Sequence, residues 1–103
     1  MTIQIDPEGS EIQLLLDFLG DLSGSSVLEV GSGDGRLTWR YAERAGRVVG
    51  IDPKPEAVAL AIQNRPETLH QRVSFLSASL EDFAAEALPR GERFDRVLLS
   101  WSL

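Results

Sequence analysis

The sequence predicts an α/β fold with a parallel sheet, and three observations carry that reading. From Val27 onward, short apolar runs alternate with segments of helical periodicity, the order that βαβ units require. The runs at 27–30 and 94–99 are near-continuous in apolar residues, as strands are when both faces of their sheet are covered. Between the first run and the next helical segment stands Gly31-Ser32-Gly33-Asp34-Gly35, a glycine turn of the kind that joins a strand to a helix.

The elements follow in order. An irregular arm over 1–9 precedes a helix at 11–20, opened by a Ser10/Gln13 capping box and patterned by Ile12, Leu15, Leu16 and Leu19. Strand one is expected at 27–30. A second helix runs from about Asp34, with Asp34 as its cap, to Gly46 as a left-handed terminus, and faces inward through Leu37, Tyr41, Ala42 and Ala45. Strand two spans 47–51. A third helix starts at Pro55, a residue suited to the first helical turn; it buries Val58, Ala61 and Ile62, and Pro66 stops it. Strand three is placed at 73–76, a short helix at 81–87, a turn at 89–92 and strand four at 94–99.

Size and charge bound the function. At 103 residues the chain is one domain, with an arm and helix over 1–25 and a core over 26–103. Apolar content of 43% and charged content of 25% are ordinary for a globular protein. A net charge of −6 and a pI near 4.6 argue against non-specific nucleic-acid binding, which needs a basic surface. Arg36, Arg40 and Arg44 share one face of the second helix and read as a solvated strip, with Glu43 placed to pair with Arg47. The N-terminal stretch has neither a basic region nor a long apolar run, so neither a signal peptide nor a membrane span is expected. The lack of cysteine fits a reducing compartment, and a cytoplasmic location is the expectation. His70 is alone, without a companion at ligand spacing, so no metal site is expected.

The glycine turn carries the chemistry. Without side chains, the glycines let a ligand approach backbone, and a helix start offers free N–H donors. The second strand ends in Asp52, where an acid can accept both hydroxyls of a ribose. Together these point to an adenosine-containing cofactor. The dinucleotide pattern G-x-G-x-x-G is not met, because Arg36 occupies the place of its third glycine, which counts against NAD. No lysine follows the loop, so the phosphate-loop pattern is absent as well. Glu29, a charge inside a buried strand, needs a partner.

On these residues the chain resembles the class I S-adenosylmethionine-dependent methyltransferases. Val27-Leu-Glu-Val-Gly-Ser-Gly-Asp-Gly35 is similar to their first motif, and Val48-Val-Gly-Ile-Asp52 to their acidic second strand. Val73-Ser-Phe-Leu-Ser-Ala-Ser-Leu-Glu-Asp-Phe83 and Phe94-Asp-Arg-Val-Leu-Leu-Ser100 are similar to the third and fourth strand regions. The resemblance implies a Rossmann-like three-layer sandwich with strand order 3-2-1-4, truncated after strand four. It implies S-adenosylmethionine as cofactor, with Gly31, Ser32, Gly33 and Gly35 around its methionine and ribose, and Glu29 near the methionine amine, directly or through water. Asp52 would bind the ribose hydroxyls, Pro53 and Leu80 would flank the adenine, and Ser100 would close the site. Ser79 stands where many members carry an acid that accepts from the adenine amino group; a serine accepts without charge. The reaction implied is methyl transfer to an unknown acceptor, with no catalytic residue assigned. A non-catalytic nucleotide-binding or regulatory module acting through a partner chain is the alternative. Strand four would be left as an open edge, so a homodimer or a partner chain pairing there is expected. Trp101 is a candidate either for the cofactor mouth or for packing in place of the missing half.

Overall fold

The computed structural model describes residues 22–100. The helix expected at 11–20 and Trp101 lie outside the described residues. Four strands form one parallel sheet: β1 (Ser26–Val30), β2 (Arg47–Asp52), β3 (Val73–Ser77) and β4 (Arg96–Leu99), in the order β3-β2-β1-β4. Among the described residues three α-helices connect or flank them: α1 (Thr38–Tyr41), α2 (Pro55–Asn64) and α3 (Leu80–Ala87).

The register sorts the side chains into two faces, because successive residues of a strand point to opposite sides. Val27, Val48, Val73 and Leu98 look toward α1 and α2 and pack with Tyr41, Val58 and Ala61. Leu28, Val49 and Ile51 look the other way and pack with Phe83 and Ala87 of α3. Helices therefore cover both faces, which is the three-layer arrangement and the reason the central strands are largely apolar, with Glu29 as the buried exception in β1.

Several expectations are corrected. The second helix does not begin at Asp34. The glycine loop takes up the chain through Leu37, α1 is one turn long, and a 3₁₀ turn at Ala42–Arg44 follows. Asp34 caps nothing there; its carboxylate accepts from the Arg36 N–H and pairs with the Arg36 guanidinium at 3.1 Å. Arg36 thus sits before α1, and Arg36, Arg40 and Arg44 do not line one helix face. Gly46 is not left-handed. A Cβ there would lie 2.8 Å from the Gly24 backbone, so close chain approach is what needs glycine. Ile62 is 46% exposed; α2 buries Val58 and Ala61. Arg47 reaches Glu92 at 2.5 Å rather than Glu43, and lies 5.2 Å over the Phe94 ring. Phe94 precedes β4 and packs on Phe83, while Asp95 accepts from the Ser26 N–H at 2.8 Å and ties β4 to the start of β1. Trp39 stacks edge-on against Phe75, with ring centroids 5.5 Å apart.

Candidate functional site

The C-terminal ends of β1, β2 and β3 open onto a cleft of about 320 Å³, within the size of small-molecule sites. Its lining joins Val30 and Gly31 after β1, Ile51, Asp52, Pro53 and Lys54 after β2, and Ala78, Ser79 and Leu80 before α3.

Asp52 organises the polar side. It is 5% exposed. Its Oδ2 accepts from the Gly33 N–H at 3.0 Å and its Oδ1 accepts from the Lys54 N–H at 2.9 Å. A carboxylate offers about four acceptor positions, so one stays open on each oxygen. Two open acceptors on one planar group match a pair of vicinal hydroxyls. The glycine loop is anchored from below. The Gly31 and Ser32 N–H groups both donate to the Ile51 carbonyl, at 2.8 and 3.1 Å. Gly31, Gly33 and Gly35 have φ of 84°, 59° and 87°, a region that other residues enter only with strain. A Cβ on Gly35 would also strike the Trp39 indole at 2.4 Å.

Ser79 has two uses. Its Oγ accepts from the Asp82 N–H at 3.1 Å as the N-cap of α3, and the residue lines the cleft. Pro53 and Leu80 supply apolar wall, Leu80 being 39% exposed.

Glu29 lies elsewhere. It is 0% exposed, and three hydroxyls donate to it: Thr38 at 2.8 Å and Tyr41 at 2.6 Å to Oε1, and Ser100 at 2.7 Å to Oε2. Burial raises its carboxyl above the usual range, and the three hydroxyl bonds pull it back down in part. Burial, the Glu29 charge and the Glu29 bond hold the Tyr41 hydroxyl well above the ordinary tyrosine range. The partner that a charge in a buried strand demands is thus a ring of hydroxyls, which fastens α1 and the end of β4 to β1.

Of the residues named from sequence, Gly31, Asp52, Pro53, Ser79 and Leu80 share the cleft, and Gly33 is tied to it through Asp52. Ser32 is buried and turns its hydroxyl to the Ile51 carbonyl at 3.4 Å. Glu29 and Ser100 meet each other below the loop. Sequence reasoning missed Lys54, Thr38 and Tyr41. The Thr38/Tyr41 spacing puts both on one side of a helix, but their target is a strand residue before the loop.

A methyltransferase domain family model matches residues 21–102. The chain belongs to that family. It is similar to the mitochondrial ubiquinone biosynthesis O-methyltransferase of Bos taurus, 33% identical over 81 residues, which are 77% of this chain and 21% of that protein. Among solved structures, the magnesium protoporphyrin IX methyltransferase of Synechocystis PCC 6803 with bound S-adenosylmethionine superposes with a TM-score of 0.65 at 26% identity, over 85% of this chain and 41% of that one. An RNA methyltransferase of Salinibacter ruber in complex with S-adenosyl-L-homocysteine superposes with a TM-score of 0.69 at 27% identity, over 92% and 60%. The chain spans about a fifth of the length of the bovine relative. Among the described residues no helix is long and apolar enough to cross a membrane.

Proposed function

We propose that the cleft binds S-adenosylmethionine and that the chain forms the cofactor-binding part of a methyltransferase. The observation that carries this reading is Asp52: one carboxylate lines the cleft, fixes the glycine loop through Gly33, and has an acceptor position left on each oxygen for the hydroxyls of a ribose. Gly31 would lie along the methionine and ribose, Pro53 and Leu80 would sandwich the adenine, and the Ser79 hydroxyl would meet its amino group. Three hydroxyls already engage Glu29, so it would act on the cofactor mainly through the loop they help to hold.

Bound there, the cofactor supplies an electrophilic methyl on a sulfonium. Transfer to a nucleophile depends mainly on in-line positioning, and the cleft residues Gly31, Asp52, Pro53, Ser79 and Leu80 would hold and orient the cofactor for it. By their names the similar proteins are an O-methyltransferase of ubiquinone biosynthesis, a magnesium protoporphyrin IX methyltransferase and an RNA methyltransferase, which supports a shared cofactor frame serving different acceptors. We further propose that the β4 edge is paired in solution, by a second copy in an isolated preparation. Val97 on that strand is 53% exposed, and an open apolar edge invites another strand.

Isothermal calorimetry with S-adenosylhomocysteine tests the cofactor reading. A saturable complex, with none for NAD, is the expected result; binding of NAD in its place would overturn it. Methyl transfer by the chain alone, or only with a second chain, then separates a complete enzyme from a cofactor module.

A further inference from the structure

A buried carboxylate held by three hydroxyls keeps one acceptor position, on Oε2, and a proton taken up there becomes a buried donor that needs an acceptor of its own. Each hydroxyl carries one hydrogen, and all three are spent on Glu29. Once protonated, Glu29 must donate, and the hydroxyl that accepts must send its own hydrogen elsewhere. Thr38 and Tyr41 are fully buried and have no second acceptor among the described residues. Ser100 has one: its Oγ is 2.7 Å from Glu29 Oε2 and 3.4 Å from the carbonyl oxygen of Gly31. The Ser100 N–H is fixed on the Val30 carbonyl at 2.9 Å, so the hydroxyl turns about a fixed backbone.

We propose that Ser100 is a positioning residue that relays the protonation state of Glu29 to the glycine loop. With Glu29 ionised, the Ser100 hydroxyl donates to Oε2 and leaves the Gly31 carbonyl without it. One proton taken from solvent onto Oε2 reverses that bond; Glu29 donates to Ser100, and Ser100 donates to the Gly31 carbonyl. Among the described residues nothing else facing Glu29 competes for the charge. On β2 and β4 the residues in register with it are Gly50 and Leu98, and on α1 the one titratable neighbour is Tyr41, which stays protonated. Gly31 lines the cleft, so the relay links proton uptake to the shape of the site. This last link rests on the reading of the cleft as the cofactor site. By reciprocity, whatever the proton does to ligand affinity the ligand does to the proton.

The test uses the whole chain with carbon-13 in glutamate carboxyls and glycine carbonyls, followed by NMR across pH without ligand. The Glu29 carboxyl should titrate, with the Gly31 carbonyl moving at the same midpoint. Ser100→Ala keeps the Glu29 charge but removes the relay: the Gly31 response should be lost, and the Glu29 midpoint should rise, because a bond to the ionised form is gone. Should that variant not fold, Glu29→Gln serves, since its amide donates permanently to Ser100. Gly31 should then hold its low-pH position at every pH. A Glu29 that keeps one protonation state wherever the chain is folded overturns the relay, as does a Gly31 response that survives in Ser100→Ala or a Gly31 signal that still titrates in Glu29→Gln. Addition of S-adenosylhomocysteine should shift the Glu29 midpoint. A chain that takes up no S-adenosylhomocysteine refutes the reading of the cleft, while the ligand-free titration still decides the relay.

Discussion

Replacing Asp52 by Asn should damage the loop and the site together, by amounts that can be separated. Both carboxylate oxygens already accept a backbone N–H, from Gly33 and from Lys54. An asparagine amide has one oxygen, so no rotation of the side chain spares both bonds. One N–H is left facing an NH₂ group in a buried setting. A hydrogen bond to a charged group contributes about 1.5–3 kcal/mol, so the loss here is about 2–4 kcal/mol once the poor contact is included. That is a large part of the about 5–15 kcal/mol that holds a small domain. Urea unfolding followed by circular dichroism reads it as a lower midpoint at an unchanged slope. Binding should fall separately, because one ribose hydroxyl loses its acceptor. Calorimetry with S-adenosylhomocysteine, at a temperature where the variant is folded, should show at least about a tenfold weaker complex, equivalent to about 1.4 kcal/mol. A variant within about 0.5 kcal/mol of the parent in stability, well under one charge-assisted bond, would refute the anchoring role. Full affinity in the folded variant would refute the ribose role.

Ser79→Asp should leave stability nearly unchanged, because Asp caps helices as well as Ser, and should tighten S-adenosylhomocysteine binding; unchanged or weaker binding would take Ser79 off the adenine. Glu29 has its carboxyl raised by burial, so the folded chain holds that proton more tightly than the unfolded one. Its cost is absent below the unfolded value of about 4.5 and grows as pH rises toward the raised folded value, so Glu29→Gln should gain stability relative to the parent over that window in parallel urea titrations. Tyr41→Phe removes a bond that favours the ionised form, and the Glu29 midpoint should move further up in a carboxyl NMR titration. Gly50→Ala should destabilise by about 1–3 kcal/mol in urea, because the new methyl meets the Phe75 ring at 2.7 Å and Ser32 Cβ at 2.9 Å. Sedimentation at micromolar concentration should show a dimer of the isolated chain, and a single folded species of about 11 kDa would rule out pairing at β4.

The strands could be read from the sequence because both faces of this sheet are covered. A run such as Val48-Val49-Gly50-Ile51 has no polar alternation to confuse it, and its end at Asp52 is marked by the acid and the proline that follow. Ser79 and Leu80 joined the same cleft because motif spacing and strand ends agree in a parallel sheet. The region after the glycine loop was misread for a local reason. Leu37, Tyr41, Ala42 and Ala45 have helical spacing, but Gly35 at a φ of 87° and the Asp34 bond to the Arg36 N–H consume the first turn. Side-chain periodicity does not distinguish a full α-helix from one turn followed by a 3₁₀ turn. Ile62 failed because α2 lies over the edge of the sheet at β2 and β3, and its contact stripe is narrower than its apolar stripe. The surroundings of Glu29 were beyond sequence reasoning altogether. Its hydroxyl partners stand 9, 12 and 71 residues away, and only the pairing of β1 with β4 brings Ser100 to it.

Titrating the nitrogen-15-labelled chain with S-adenosylhomocysteine shows whether the cofactor lies in the cleft at the ends of β1, β2 and β3, because each backbone amide reports its own surroundings. The amides of Gly31, Gly33, Asp52, Lys54 and Leu80 should move together and saturate at one concentration. Saturating shifts confined to β4 or to the Arg47–Glu92 surface, with those five amides still, would contradict that placement.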